Sequence, residues 1–172
     1  MGKLTGYLYH EISLREWVDH VPSAKLEDMT LRLVNRLAYK QAIKKITHPE
    51  KARKLIIAGL HECKRTLWTT IDKKKSKLLI IALNIERNDL ERGTDDQMQQ
   101  VLSYAYEANV PVVHISTRAK IGRAFTGKFG PRISMLSVIN YEGYQDMMEL
   151  IMEEWKEMKN IYDTTNKYMF KF

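Results

Sequence analysis

Six consecutive residues, Leu78-Leu79-Ile80-Ile81-Ala82-Leu83, carry no polar side chain. A surface helix interrupts its apolar positions every three or four residues, and a half-exposed strand alternates them. An unbroken short run instead suits a central strand covered on both faces. The segments around it alternate in period. Leu26 to about Ile46 reads as a helix with Leu26, Met29, Leu33, Leu37 and Ala38 near one stripe, widened by Val34 and Ile43, and Ser23 is its candidate cap after Pro22. Leu55 to Ala58 is a short strand, Gly59 marks a bend, and a helix continues to about Ile71 with Leu60, Cys63, Leu67 and Ile71 inward. Asp72 to Ser76 and Asn84 to Arg92 read as loops. A helix capped by Thr94 or Asp95 turns Met98, Val101, Leu102 and Ala105 inward, and Asn109-Val110-Pro111 is a turn.

Then come a strand from Val112 to Ile115, a short helix from Arg118 to Ala124, a glycine-rich loop from Phe125 to Pro131, and a strand from Ile133 to Asn140. A last helix spans about Glu142 to Ile161, with Met148, Ile151, Trp155 and Met158 along one stripe. Helices alternating with strands give an α/β protein, a three-layer α/β/α sandwich around a central mixed sheet of about four strands. The expected organisation is an N-terminal extension over 1–24, a domain over 25–161 and a C-terminal tail over 162–172.

The 172 residues, 44% hydrophobic and 28% charged, suffice for one packed domain. A single cysteine, Cys63, excludes an intrachain disulfide and a thiolate zinc cluster, and a core role is expected for it. No apolar run is long enough to cross a bilayer, and Gly2 to Tyr7 do not read as a secretory signal. The expectation is an intracellular protein, cytoplasmic or nuclear and nucleolar, with no membrane partner.

Net charge is +7, and its distribution matters more than its size. Residues 39–77 hold twelve Lys or Arg against three acids, and residues 115–132 hold five bases and no acid. Residues 142–157 are acidic. Separate basic blocks and one acidic helix make an oriented field of the kind a phosphate backbone selects.

Within the first basic block, Gly59-Leu60-His61-Glu62-Cys63-Lys64-Arg65-Thr66-Leu67 sets a glycine beside an acid and two bases at a strand-to-helix bend. Glycine permits close backbone approach to a ligand. Two readings stand for Glu62 and Arg65: a surface pair on one helix face, or groups that read a nucleic acid. Asp95-Asp96 reads as a helix cap, not a metal site, and His114 as structural. Trp155 and the methionines of the last helix read as core or protein interface. Catalysis would need a cofactor loop, convergent carboxylates or a nucleophile beside a base; none is legible, so no enzyme activity, cofactor or metal is expected.

These residues resemble the kink-turn-binding ribosomal and small nucleolar ribonucleoprotein family, whose eukaryotic members include the proteins that bind SECIS, the selenocysteine insertion sequence. The family's glycine matches Gly59, its acid Glu62 and its basic position Arg65, while its usual asparagine is His61 here. A second signature matches Val110-Pro111-Val112-Val113-His114-Ile115, Arg118, Lys120 and Gly122-Arg123-Ala124. Asn84-Ile85-Glu86, Gly93 before Asp95-Asp96, Ser116-Thr117-Arg118 and the stretch from Ile139 to Asp146 resemble the SECIS-binding subgroup.

The resemblance implies a partner RNA with a kink-turn or a related sheared G·A motif, held within a ribonucleoprotein or ribosome. It implies that Gly59 and the start of the second helix enter the bend and that Glu62 accepts hydrogen bonds from guanine. His61 stands in for the asparagine, and Lys64 or Arg65 answer phosphate or base acceptors. Asn84 and Glu86 are counted among the RNA-binding residues. Ile115, Ser116, Thr117 and Arg118 cover a bulged nucleotide, and Arg118, Lys120 and Arg123 position the backbone. Lys73, Lys74, Lys75 and Lys77 extend the footprint or form a solvated loop. The implied function is non-catalytic stabilisation of bent RNA, with selenocysteine insertion as one role. The alternatives are a ribosomal, ribosome-assembly or small nucleolar ribonucleoprotein component, or a protein-binding module that has lost RNA recognition.

Overall fold

The computed structural model describes residues 14–73 and 75–169, and the side chains of 70–73 and 166–169 are outside that description. Among the described residues, five helices alternate with four strands: α1 Ala24–Thr47, β1 Ile56–Ala58, α2 Leu60–Lys73, β2 Leu78–Ile81, α3 Thr94–Glu107, β3 Val112–His114, α4 Arg118–Thr126, β4 Met135–Val138 and α5 Gln145–Met169. A single 3-10 turn, Pro49–Lys51, comes after α1.

The sheet order is β1-β4-β2-β3. β4 runs antiparallel to β1 and β2, whereas β2 and β3 are parallel. Strands β1, β2 and β3 therefore point the same way, and their C-terminal ends share one edge with the start of β4. Every residue of β2 and β4 is buried, as both-face coverage requires. α2 packs on α3, and α1 packs on α4 and α5, giving the expected three layers.

Ser23 caps α1: its Oγ accepts from the Leu26 N–H at 3.2 Å and donates to Glu154 Oε1 at 2.9 Å. Leu26, Leu33, Val34 and Leu37 enter the core as the stripe predicts. Ile43 and Ile46 do not; they are 42% and 81% exposed, because the last turns of α1 outrun the sheet. The cap of α3 is Gly93 instead of Thr94 or Asp95. Asp95 is occupied elsewhere, taking Arg15 Nη2 at 2.6 Å, and this guanidinium holds the Asp95 carboxyl below its usual range. Ahead of α1, Arg15, Val18 and His20 are buried. α2 continues to Lys73 and α5 to Met169, both past the expected ends, while β2 and β4 are shorter than their apolar runs.

Side chains close the outer strands. Gln41 Oε1 accepts from the N–H groups of Leu55 and Ile56 at 2.6 and 3.1 Å, at the start of β1. On β3, the Val112 carbonyl accepts from Trp155 Nε1 at 2.9 Å, and the His114 N–H donates to His20 Nε2 at 2.9 Å. That last bond fixes the tautomer of His20, leaving Nδ1 to donate to the Val21 carbonyl at 3.1 Å.

Candidate nucleic-acid interface

Backbone hydrogen bonds stitch the shared C-terminal edge of the sheet into one surface. Gly59 N–H donates to the Met135 carbonyl, Ala82 N–H to that of Ser134, and Leu83 N–H to that of Ser116, each at 2.9 Å. Ile133 N–H donates to the Arg118 carbonyl at 3.0 Å, and Arg118 N–H to Asn84 Oδ1 at 2.9 Å. Segments far apart in the chain thus meet, and two helices begin there, α4 with its first N–H groups already held by Asn84 and Thr117. Such helix starts attract anions.

Gly59 has φ +102°, a conformation costly for any residue with a Cβ, yet a Cβ placed there would meet nothing within 4 Å. The backbone demands glycine, and the space over it is open. Leu60 starts α2 and turns Cys63 and Leu67 into the core, which sends His61, Glu62 and Arg65 into solvent and leaves Lys64 half-buried. Among the described residues Glu62 makes no hydrogen bond or ion pair, so the surface pair with Arg65 is not formed. Burial, and Glu62 beside it, push the Cys63 thiol up to about 12.

The loop after β3 differs from expectation. Ile115 and Ser116 are 1% and 2% exposed, so neither side chain offers surface to a nucleotide. Ile115 belongs to the core because its N–H continues the ladder, donating to the Ile81 carbonyl at 2.9 Å. Ser116 turns at φ +60°, in the left-handed region rare for non-glycine residues, which releases the chain from the sheet. Thr117 Oγ1 caps α4, accepting from the Lys120 N–H at 3.3 Å. Arg118 is half-buried and pairs at 3.6 Å with Glu86, which is itself exposed.

Lys120 and Arg123 lie further along α4 and turn toward α1. Lys120 pairs with Glu27 at 3.6 Å, Arg123 stacks on Phe129 at 4.0 Å, and both line a cavity of about 670 Å³ with Arg32 and Arg36. Lys75 and Lys77 precede β2, so they stand at the other edge of the sheet and do not join the Glu62 surface. The Lys73 side chain and Lys74 lie outside the described residues. Arg132 and Ser134, missed in the sequence, enter the edge through the bonds around Ile133 and Ala82. The signal for Arg132 is its place in the acid-free block, which the loop reading obscures.

Gly122, in the second signature, serves packing: a Cβ there would stand 1.9 Å from the Pro131 carbonyl oxygen. His114 is buried, and desolvation lowers its pKa to about 3. Among the described residues no group of three or more His, Cys, Asp or Glu is arranged to hold a metal ion, and no helix is long and apolar enough to cross a membrane.

The fold is a layered α/β sandwich whose strand ends bring together a glycine bend, an exposed carboxylate and two helix starts. The chain belongs to the ribosomal protein L7Ae/L30e/S12e/Gadd45 family, whose profile matches residues 40–148. It is 28% identical over 155 residues to selenocysteine insertion sequence-binding protein 2 of Rattus norvegicus, covering 88% of this chain and 17% of that protein. It is 26% identical over 155 residues to selenocysteine insertion sequence-binding protein 2-like of Homo sapiens, covering 89% and 14%. The chain thus spans less than a fifth of the length of these curated relatives. Among solved structures, the Giardia lamblia 15.5kD RNA binding protein is similar with a TM-score of 0.49 and 18% identity, over 77% of this chain and 91% of that one.

Proposed function

We propose that this chain is a non-catalytic module that grips a kink-turn or a SECIS-like structured RNA at the edge formed by Gly59, Glu62, Asn84 and Arg118, within a ribonucleoprotein. The single observation that carries the reading is Glu62: an exposed acid with no hydrogen bond or ion pair among the described residues, beside an open glycine and among bases. An acid facing a phosphate chain meets repulsion, so its place there suits base-edge donors, and guanine amino and imino groups are such donors. His61 and Arg65 flank it as additional polar contacts, and Arg118 supplies a donor fork from the start of α4. Family membership and relatives named for SECIS binding support the RNA class and make selenocysteine insertion the first role to test.

A ribosomal or assembly role is the second reading, favoured by the breadth of the matched family. Titrating the chain against a kink-turn RNA, a SECIS-type RNA and an unbent duplex tests both. Selective binding to a bent RNA, weakened roughly 100-fold by Glu62→Ala, is expected, a loss of about 2.7 kcal/mol. Equal affinity for the unbent duplex overturns the reading. Preference between the two bent RNAs separates the roles.

A further inference from the structure

The sheet has a second basic edge. α2 begins at the Glu62 surface and ends at Lys73, and its 14 residues rise roughly 20 Å at about 1.5 Å each. β1 and β2, three and four residues long, rise about 10–13 Å, so the segments leading into them lie at the opposite edge from the segments leaving them. Backbone bonds gather that far edge as well. Lys77 N–H donates to the Val138 carbonyl at 2.8 Å, and the N–H groups of Ile139 and Asn140 donate to the Leu55 carbonyl at 2.8 and 3.1 Å. They bring Arg53 and Lys54, ahead of β1, beside Lys75 and Lys77, ahead of β2. The four cations line one cavity of about 630 Å³, together with Asn140, Tyr141, Gln145 and a single acid, Glu142.

All four cations are exposed. Arg53, Lys54 and Lys75 have no ion pair among the described residues, unlike Lys120 and Arg118 on the first surface. Arg53, Lys54 and Lys75, three positive charges held in one concavity, repel one another unless a polyanion covers them, and Lys77 stands beside them. The rim sets the direction of approach: on the α5 side the surface becomes acidic at Glu149 and Glu153. Tyr141 and Asn140 add an aromatic face and an amide among the cations, the mixture that suits an RNA strand better than a bare phosphate surface.

We propose that this far edge is a second RNA-binding face, contacting the phosphates of a segment other than the bend through Arg53, Lys54, Lys75 and Lys77. A compact kink held at Glu62 stands on the opposite rim of the sheet and leaves this face open. The protein then joins two RNA segments across its sheet, and its contacts here are set by charge and not by sequence.

The test uses the full chain with two probes: an unlabelled minimal kink-turn RNA and a fluorescent unbent RNA duplex, read by anisotropy. The duplex is expected to bind with the kink-turn RNA already saturating, and the Arg53→Gln/Lys54→Gln/Lys75→Gln/Lys77→Gln variant is expected to weaken duplex binding at least tenfold. Kink-turn affinity should stay within about twofold, and the salt slope of duplex binding should flatten by roughly three charges. The Lys75→Gln/Lys77→Gln variant should give an intermediate loss. Mutual exclusion of the two RNAs overturns the proposal, as does duplex affinity unchanged in the fourfold variant. So does an equal loss when the same variant is assayed on anionic phosphatidylserine vesicles, which would reassign the face to lipid. If the kink-turn RNA fails to bind but the duplex loss persists, the Glu62 reading falls and this one stands.

Discussion

The Arg118 N–H donates to Asn84 Oδ1 at 2.9 Å, a bond between the loop after β2 and the first turn of α4. It satisfies an N–H that a helix start otherwise leaves open, and it anchors the backbone from which the Arg118 side chain leaves. Asn84→Ala should cost about 1 kcal/mol, seen as a few degrees in thermal unfolding. Bent-RNA affinity should fall about tenfold, more than the stability change alone explains. Unchanged affinity would show that Arg118 does not need this tie.

Two glycines should fail differently. Gly122→Ala pushes a Cβ into the backbone of Pro131, so the 127–132 loop must move, at a cost of about 1–3 kcal/mol. A urea titration should show a lower midpoint with an unchanged slope. Gly59→Ala meets open space, but at φ +102° it strains the bend by roughly 1–3 kcal/mol. Its loss of RNA affinity should exceed that of Gly122→Ala when both are measured well below their unfolding transitions.

Acid should destabilise the fold before carboxylates titrate. Burial lowers the pKa of His20, and it lowers that of His114 from 6.5 to about 3 with help from neighbouring His20. A folded value below the unfolded one means that the unfolded chain binds protons first. The contribution is full above pH 6.5 and is lost as pH falls toward 3, at up to about 1.4 kcal/mol per pH unit for each group. Chemical denaturation at pH 7, 6 and 5 should show the decline, and His114→Leu should flatten it.

The Cys63 thiol should be inert. It is fully buried and its pKa is pushed up to about 12, so almost no thiolate is present at pH 8. Iodoacetamide should label it only after unfolding, with native labelling slower by about the folding equilibrium constant. Fast labelling of the folded chain would show that α2 opens at its first turn.

The order of the nine elements is legible because each apolar period changes sharply, from the unbroken run at Leu78 to the spaced stripe at Leu26. The bend at Gly59 and the exposure of Glu62 are legible because a glycine closes the apolar strand and the stripe of Leu60, Cys63 and Leu67 turns Glu62 outward. Ile115 misleads, since four consecutive residues from Val112 look alike while only their hydrogen bonds say where the sheet ends. The lysines before β2 belong to a different surface from the one expected, and the length of α2 already separates them from Glu62. Arg53 and Lys54 meeting Lys77 is not legible at all, because it depends on β4 pairing between β1 and β2 from far along the chain.

The side chains on the outer strands have one more effect. Gln41 at β1 and Trp155 and His20 at β3 engage part of the backbone groups that would otherwise template an added strand. Copies of the molecule held side by side would find fewer open edge groups to pair with, and protonation of His20 Nε2, which removes the acceptor for the His114 N–H, would reopen one of them.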